Sequence, residues 1–248
     1  MKRLKRREFL GVSGGAFFAL MGAMGALPLS GEAAPAPAGS SRKASVDPMK
    51  AATRKELMRS MEAERLLTGQ NNTRENAHLL HLLIRMSRAY RVLEVGTHKG
   101  YSTLWMATAL EAQGGGKLTT IEIDRMRVLE AKRNMRDCGL DSIVTCLEGD
   151  AHQEVKALKK NFDLIFLDAD RDRNEDYLQT LWPLLRTGGF LCLSGAVRFR
   201  SMMARYFEEL EKKKDAMTTI LKTIPNTERL PAESEGLGDA MAITWKQP

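Results

Sequence analysis

Arg91-Val92-Leu93-Glu94-Val95-Gly96-Thr97-His98-Lys99-Gly100-Tyr101-Ser102 is the stretch on which the fold turns. Its first five residues form a short apolar run of the kind that makes a strand. Gly96 and Gly100, four apart, then let the backbone turn tightly and approach a ligand closely. The helical stretch Tyr101 to Ala112 follows, and its first turn presents free N–H groups. The pattern is shared with dinucleotide-binding folds. It lacks the third glycine of G-x-G-x-x-G, which argues against an NAD-dependent oxidoreductase.

Outward from this turn the same alternation repeats. Short apolar runs occupy Lys117 to Ile123, Ile143 to Leu147, Phe162 to Leu167 and Gly189 to Leu193, with helical stretches Arg125 to Cys138, Gln153 to Lys160 and Glu175 to Leu185 between them. A helix from Ser201 to Lys214 and strands Met217 to Thr223 and Met241 to Trp245 complete about seven strands. Parallel neighbours need long crossovers, so this order predicts an α/β fold with a doubly wound, mostly parallel seven-stranded sheet covered on both faces. Upstream, apolar residues recur at three- and four-residue steps from Met49 to Leu67 and from Arg74 to Arg88, which adds two N-terminal amphipathic helices.

Ligands of an open parallel sheet bind beyond the carboxyl ends of its strands, where the strand order reverses. The second strand ends in Ile121-Glu122-Ile123-Asp124, and a carboxylate there can accept both hydroxyls of a ribose. Glu122 follows Gly96 at about the separation expected of a ribose-binding acid. The alternative use for it is a cap on the helix that starts at Arg125.

Composition narrows the classes. The chain has 248 residues, 43% hydrophobic and 28% charged, with only 8 Pro and 20 Gly, which excludes a disordered, collagenous or disulfide-dense protein. Cys138, Cys146 and Cys192 form no C-x-x-C and lie at no zinc spacing, so they read as buried small hydrophobes. The net charge of +7 is concentrated at the start, where five basic and two acidic residues leave +3 on the first 38 residues and +4 on all the rest. No arginine stripe interleaved with aromatics follows, so nucleic acid is not an expected partner.

Residues 1–38 read as an export signal: a basic head, an apolar stretch from Phe9 to Leu29, and a small-residue tail ending Ala36-Pro37-Ala38. Arg6-Arg7-Glu8-Phe9-Leu10 resembles the twin-arginine signal of bacterial export, with Lys5 and Gly11 departing from its commonest flanks. Five glycines dilute the apolar stretch, which makes it a poor permanent span, although an uncleaved anchor is the alternative. A cut after Ala38 fits the A-x-A pattern, with Ala33 as a second candidate. Residues 39–48 read as a linker and 49–248 as the folded domain. The expected location is the periplasm or the outer face of the cytoplasmic membrane, and the export machinery is an expected partner.

Four blocks in order carry a resemblance: Glu94 to Trp105, Thr119 to Asp124, Glu148-Gly149-Asp150-Ala151, and Phe162 to Asp170. Together they are similar to the class I S-adenosylmethionine-dependent O-methyltransferases of the catechol and caffeoyl-CoA type, over about Arg74 to Lys246. The resemblance implies a Rossmann-like methyltransferase fold and S-adenosylmethionine as cofactor. By it, Glu94, Gly96 and Ser102 hold the methionine end of that molecule, with Thr97, His98 and Gly100 in the same loop. Glu122 binds the ribose, and Gly149, Asp150, Ala151 and His152 border the adenine. Asp168 lies near the sulfonium and, in the family, also binds a divalent cation. A homodimer through the N-terminal helices is implied in the same way.

Two departures stand out. The family holds its cation with an Asp-Asn pair at the end of the fifth strand, where this chain has Ser194-Gly195. Magnesium needs hard oxygen ligands and usually one or two carboxylates, so no tightly bound metal is expected, with Asp170 or Asp172 as the only compensation. After Asp-Ala-Asp the family commonly has a lysine that takes the acceptor's proton, and here Arg171 follows, then Asp172 and Arg173. Arginine cannot act as a base, but Arg171 or Arg173 can attract an acidic acceptor or stabilise a phenolate, which makes Asp168 and Arg171 the candidate catalytic pair. His98 and His152 are the groups expected to titrate near neutrality, and cofactor contact or solvent exposure, rather than catalysis, is the expected role for each. His78 and His81, one helical turn apart, read as helix surface. The Arg198, Arg200 and Arg205 cluster reads as a solvated helix start, or as a hint of an anionic acceptor. The leading expectation is a metal-independent O-methyltransferase acting on a small phenol-like hydroxyl. The alternative is an inactive exported protein that keeps the pocket.

Overall fold

The computed structural model describes residues 47–68, 72–159, 161–223 and 239–248. The signal stretch, its twin-arginine motif and most of the linker lie outside the described residues. Among the described residues no helix is long and apolar enough to cross a membrane.

Two helices lead, α1 (Pro48–Thr68) and α2 (Arg74–Ser87). The alternating part follows as β1 (Arg91–Val95), α3 (Tyr101–Ala112), β2 (Lys117–Glu122), α4 (Arg125–Asp137), β3 (Val144–Glu148), α5 (Ala151–Ala157), β4 (Phe162–Leu167), α6 (Asn174–Leu181), β5 (Leu185–Ser194), α7 (Ala204–Glu211), β6 (Ala216–Thr223) and β7 (Asp239–Lys246). The seven strands stand in the order β3-β2-β1-β4-β5-β7-β6. β1 to β5 are mutually parallel, and β7 runs antiparallel to both β5 and β6. The doubly wound, mostly parallel sheet is therefore as expected.

Strand periodicity of two builds the core on both faces. Leu164 and Phe166 of β4 pack with Leu80 and Ile84 of α2, Leu104 of α3 and Val128 of α4. Ile165 and Leu167 of the same strand face Val155 of α5, Leu178 of α6 and Phe207 of α7. Cys138, Cys146 and Cys192 are free and buried, and burial pushes the Cys192 thiol up to about 12. The first helix is tied down by Arg54, which bonds both carboxylate oxygens of Glu111 at 2.5 and 3.0 Å and the Cys138 carbonyl at 2.9 Å.

Several boundaries differ from expectation, and three of them have a visible consequence or cause. β5 starts at Leu185, four residues before Gly189, because the strand passes through Gly188 and Gly189 with a shift in its pairing to β4. α7 starts at Ala204 because turns such as Phe199 N–H to the Gly195 carbonyl take up the preceding residues. β2 stops at Glu122, which leaves Ile123 72% exposed.

The strand order reverses between β1 and β4, since the chain winds outward from β1 to β3 and returns on the other side of β1. The crevice beyond these carboxyl ends is where a ligand site belongs.

Candidate functional site at the carboxyl ends of the strands

The turn after β1 forms the floor of the site. Gly96 holds φ +99, and a Cβ there would stand 2.4 Å from the Asp168 carbonyl oxygen. Any side chain would push β1 and β4 apart. His98 also adopts the left-handed region, at φ +49, which aims its backbone N–H at Glu122 Oε2 over 2.8 Å. The Asp124 N–H donates to Glu122 Oε1 at 3.0 Å. One carboxylate, 7% exposed, is thus clamped by two backbone donors and leaves its remaining lone pairs to the cleft. Asp124, rather than Glu122, caps α4, accepting from Met126 N–H at 2.7 Å.

A cleft of about 680 Å³ lies above these residues. Small-molecule sites span roughly 300–1,000 Å³, so it has room for a nucleoside-sized ligand. Gly96, Thr97, His98, Ser102, Glu122, Gly149, Asp150, Ala151, His152, Asp168 and Arg171 all line it. Glu94 and Gly100 are not among its lining residues. Gly100, at φ +91, precedes α3 as its N-cap. Glu94 is completely buried and accepts hydrogen bonds from Ser102 and Thr103, each at 2.5 Å, and Thr120, at 2.8 Å. Burial pushes its carboxyl up to about 7 against the pull of those three hydroxyls. Glu94 therefore fixes Ser102 at the cleft floor from beneath.

On the β3 side, Asp150 caps α5 through the His152 N–H at 2.9 Å. His152 Nε2 lies 2.8 Å from Asp170 Oδ2, and the Tyr177 hydroxyl donates to Asp170 Oδ1 at 2.9 Å. The His152 and Tyr177 rings stack at 3.9 Å. Burial works to raise the Asp170 carboxyl, but the His152 and Tyr177 bonds outweigh it and hold the group below the ordinary carboxylate range. His98 is driven toward its neutral form, first by burial and then by the Arg127 charge. His78 and His81 stand apart from the cleft, against Trp105.

On the β4 side, Arg171 Nη2 donates to Asp168 Oδ1 at 2.7 Å and Nη1 donates to the Ala169 carbonyl. The strand-end positions Ser194 and Gly195 bring no carboxylate to this corner.

Several lining residues escaped sequence reasoning. Asn72, just ahead of α2, is 6% exposed with its Nδ2 lacking a hydrogen-bond partner among the described residues. Nothing local marks an asparagine before a helix as a ligand contact. Ile123 offers an apolar surface beside Glu122, but an apolar residue after a strand reads as more strand. Tyr177 reaches the site because α6 returns past α5, which no spacing reveals.

The O-methyltransferase family model matches residues 42–247. The catechol O-methyltransferase of Niastella koreensis is 36% identical over 123 residues, covering 48% of this chain and 55% of that protein. The catechol O-methyltransferase of Mycobacterium tuberculosis is 31% identical over 131 residues, covering 52% of this chain and 59% of that protein. The chain thus spans little more than half the length of these two relatives. The solved structure of the O-methyltransferase from Bacillus cereus in complex with SAH superposes with a TM-score of 0.66 at 24% identity, covering 78% of this chain and 90% of that one. With the family model matched across the whole sheet and both of its helical layers, this chain belongs to the O-methyltransferase family.

Proposed function

We propose that this protein transfers the methyl group of S-adenosylmethionine to the hydroxyl of a small phenol-like acceptor, without a divalent metal. The observation that carries the reading is the clamped Glu122 carboxylate at the carboxyl end of β2, opening on a nucleoside-sized cleft whose floor is the Gly96 turn. The family supports the reaction, and the names of the relatives support a catechol-like acceptor.

The cleft residues suit the cofactor. Glu122 accepts the two hydroxyls of its ribose, and Ile123 gives its base an apolar surface. Asn72 Nδ2 and the first N–H groups of α3 meet the carboxylate of its methionine end, where a helix N-terminus favours negative charge. Bound S-adenosylmethionine supplies an electrophilic methyl on a cationic sulfur. Such a displacement needs its partners in line, so the protein's chief work is alignment. The buried Glu94 cluster holds the α3 turn, and the Asp170–His152–Tyr177 set holds the opposite wall.

Calorimetry with S-adenosylmethionine and with S-adenosylhomocysteine tests the binding. Multiple-turnover formation of S-adenosylhomocysteine with a panel of phenols and catechols tests the reaction. Ser194 and Gly195 in place of the family's metal ligands favour a second reading, a protein that binds the cofactor without turning over. Tight binding with no product from any phenol would select it.

The reading includes passage through the twin-arginine machinery to the periplasm, supported by Arg6-Arg7-Glu8-Phe9-Leu10 and the glycine-diluted apolar stretch behind it. N-terminal sequencing of the exported protein should begin after Ala38, and Arg6→Lys with Arg7→Lys should retain it inside. It also includes a homodimer through the N-terminal helices, which sedimentation would detect.

A further inference from the structure

The corner of the cleft formed by the ends of β4 and β5 is where the family resemblance puts a divalent cation. The donor set found there does not fit one. Its single strand-end carboxylate, Asp168, already accepts from Arg171, and Ser194 and Gly195 supply neither a carboxylate nor an amide side chain. A Cβ on Gly195 would stand 2.6 Å from the Phe199 ring, at a backbone φ of +74 that disfavours any side chain. The same Cβ would lie 3.5 Å from Arg171 Nε. The Phe199 ring thus takes the room that a ligand side chain at position 195 would need, and the guanidinium, 5.1 Å from carbon to ring centroid, lies in contact beside it. Among the described residues no three His, Cys, Asp or Glu side chains are grouped to hold a metal ion.

We propose that Arg171 is itself the cation of this corner: its guanidinium, fixed by Asp168, Ala169 and Phe199, receives the ionised hydroxyl of a phenol-class acceptor. The inference rests on the methyl-transfer reading above and deepens it. A guanidinium has five N–H donors. Asp168 and Ala169 take one each from Nη2 and Nη1, so each terminal nitrogen keeps a second N–H, while the Nε–H is buried on the Gly195 side. Donor capacity therefore remains on a side chain that lines the cleft. The charge is permanent, so the group neither gives nor takes the acceptor's proton. It acts by stabilising the phenolate once that proton has passed to solvent. The phenolate oxygen then forms a bond to the methyl carbon as the carbon–sulfur bond breaks, and sulfur keeps the electron pair. Products are a neutral methyl ether and a neutral thioether.

Other charges face this position. Asp168 and Asp170 come from the loop after β4, Arg173 lines the cleft beside them, and Arg198 stands on the Phe199 ring at 5.2 Å. The carboxylates oppose phenolate formation and the arginines assist it, so replacing Arg171 is what isolates its share of the shift.

The experiment uses the full chain saturated with S-adenosylhomocysteine and a nitrocatechol whose absorbance reports its ionisation. Bound to the parent protein, the probe should ionise about one to three pH units below its value in solution, as next to a fixed positive charge, with or without EDTA. Arg171→Gln should lose that shift, and Arg171→Lys, which restores a positive charge, should recover part of it. Measurable heat with S-adenosylhomocysteine shows that each variant is folded. A shift that survives Arg171→Gln, a parent protein that shows no shift, or a shift that EDTA abolishes and magnesium restores would each overturn the proposal. If S-adenosylhomocysteine fails to bind the parent, the methyl-transfer reading falls and takes this inference with it. Binding without an Arg171-dependent shift sinks this inference alone.

Discussion

Glu94 and Glu122 sit at the carboxyl ends of neighbouring parallel strands, and the structure uses them in opposite ways. Glu94 points to the face covered by α2, α3 and α4, where three hydroxyls close over it. Glu122 is held by two backbone N–H groups and opens on the cleft. A carboxylate surrounded by the protein's own donors is a strut. One clamped from behind by the main chain retains acceptor capacity for something outside the fold.

The comparison breaks most visibly at Glu94. Glu94→Ala should lower unfolding free energy by about 3 kcal/mol, because it empties a buried site and strips three hydroxyls of their acceptor. Urea denaturation measures this, and a loss below about 1 kcal/mol would mean that Glu94 is not a strut.

The pH dependence sharpens the same contrast. Because burial raises the Glu94 carboxyl to about 7, the native state holds that proton more tightly than the unfolded chain. Its contribution to stability is complete below the ordinary value of 4.5 and is lost as pH rises through about 7, with an amplitude of at most about 3 kcal/mol. Glu94→Gln should flatten this part of the stability profile. Asp170 works the other way: its lowered carboxyl adds stability above the ordinary Asp value of 3.8, lost as pH falls through its native value. The two trends occupy different windows and can be separated by unfolding at pH 3, 5 and 8.

At Glu122 the cost should appear in binding. Glu122→Ala should weaken S-adenosylmethionine by about 30-fold, roughly 2 kcal/mol, while changing stability by less than about 1 kcal/mol. Calorimetry and urea titration on the same variant decide it; equal affinity for parent and variant would remove the central support of the proposed function.

The smallest effect is expected across the cleft. Tyr177→Phe keeps the ring stacked on His152 but removes one donor to Asp170. Affinity should fall about threefold, near 0.6 kcal/mol, without a change in fold seen by circular dichroism.

Much of this architecture was legible in the residues. β1 and β4 occupy the expected spans, because short apolar runs bounded by glycine or charge have few other uses. β5 was read as starting at Gly189, with Leu185 left to the preceding helix, whereas pairing with β4 starts the strand at Leu185 and carries it through the glycines with a register shift. In the site, the glycine turn and the acid ending β2 were legible because their spacing reflects local backbone geometry. Asn72 and Tyr177 were not, since their positions depend on where whole helices pack. Glu94 was expected to touch the cofactor; the structure places it under the cleft floor, since the strand's alternation turns it toward α3.

The sequence by itself determined the succession of strands and helices and the turns at the strand ends, since those follow from the periodicity of neighbouring residues and from the conformations that glycine permits. Only the tertiary structure decided which of two similar carboxylates would be sealed and which left open, and that a guanidinium would stand between Asp168 and Phe199. Those outcomes depend on strand register and on loops meeting from distant parts of the chain, and no local pattern encodes them.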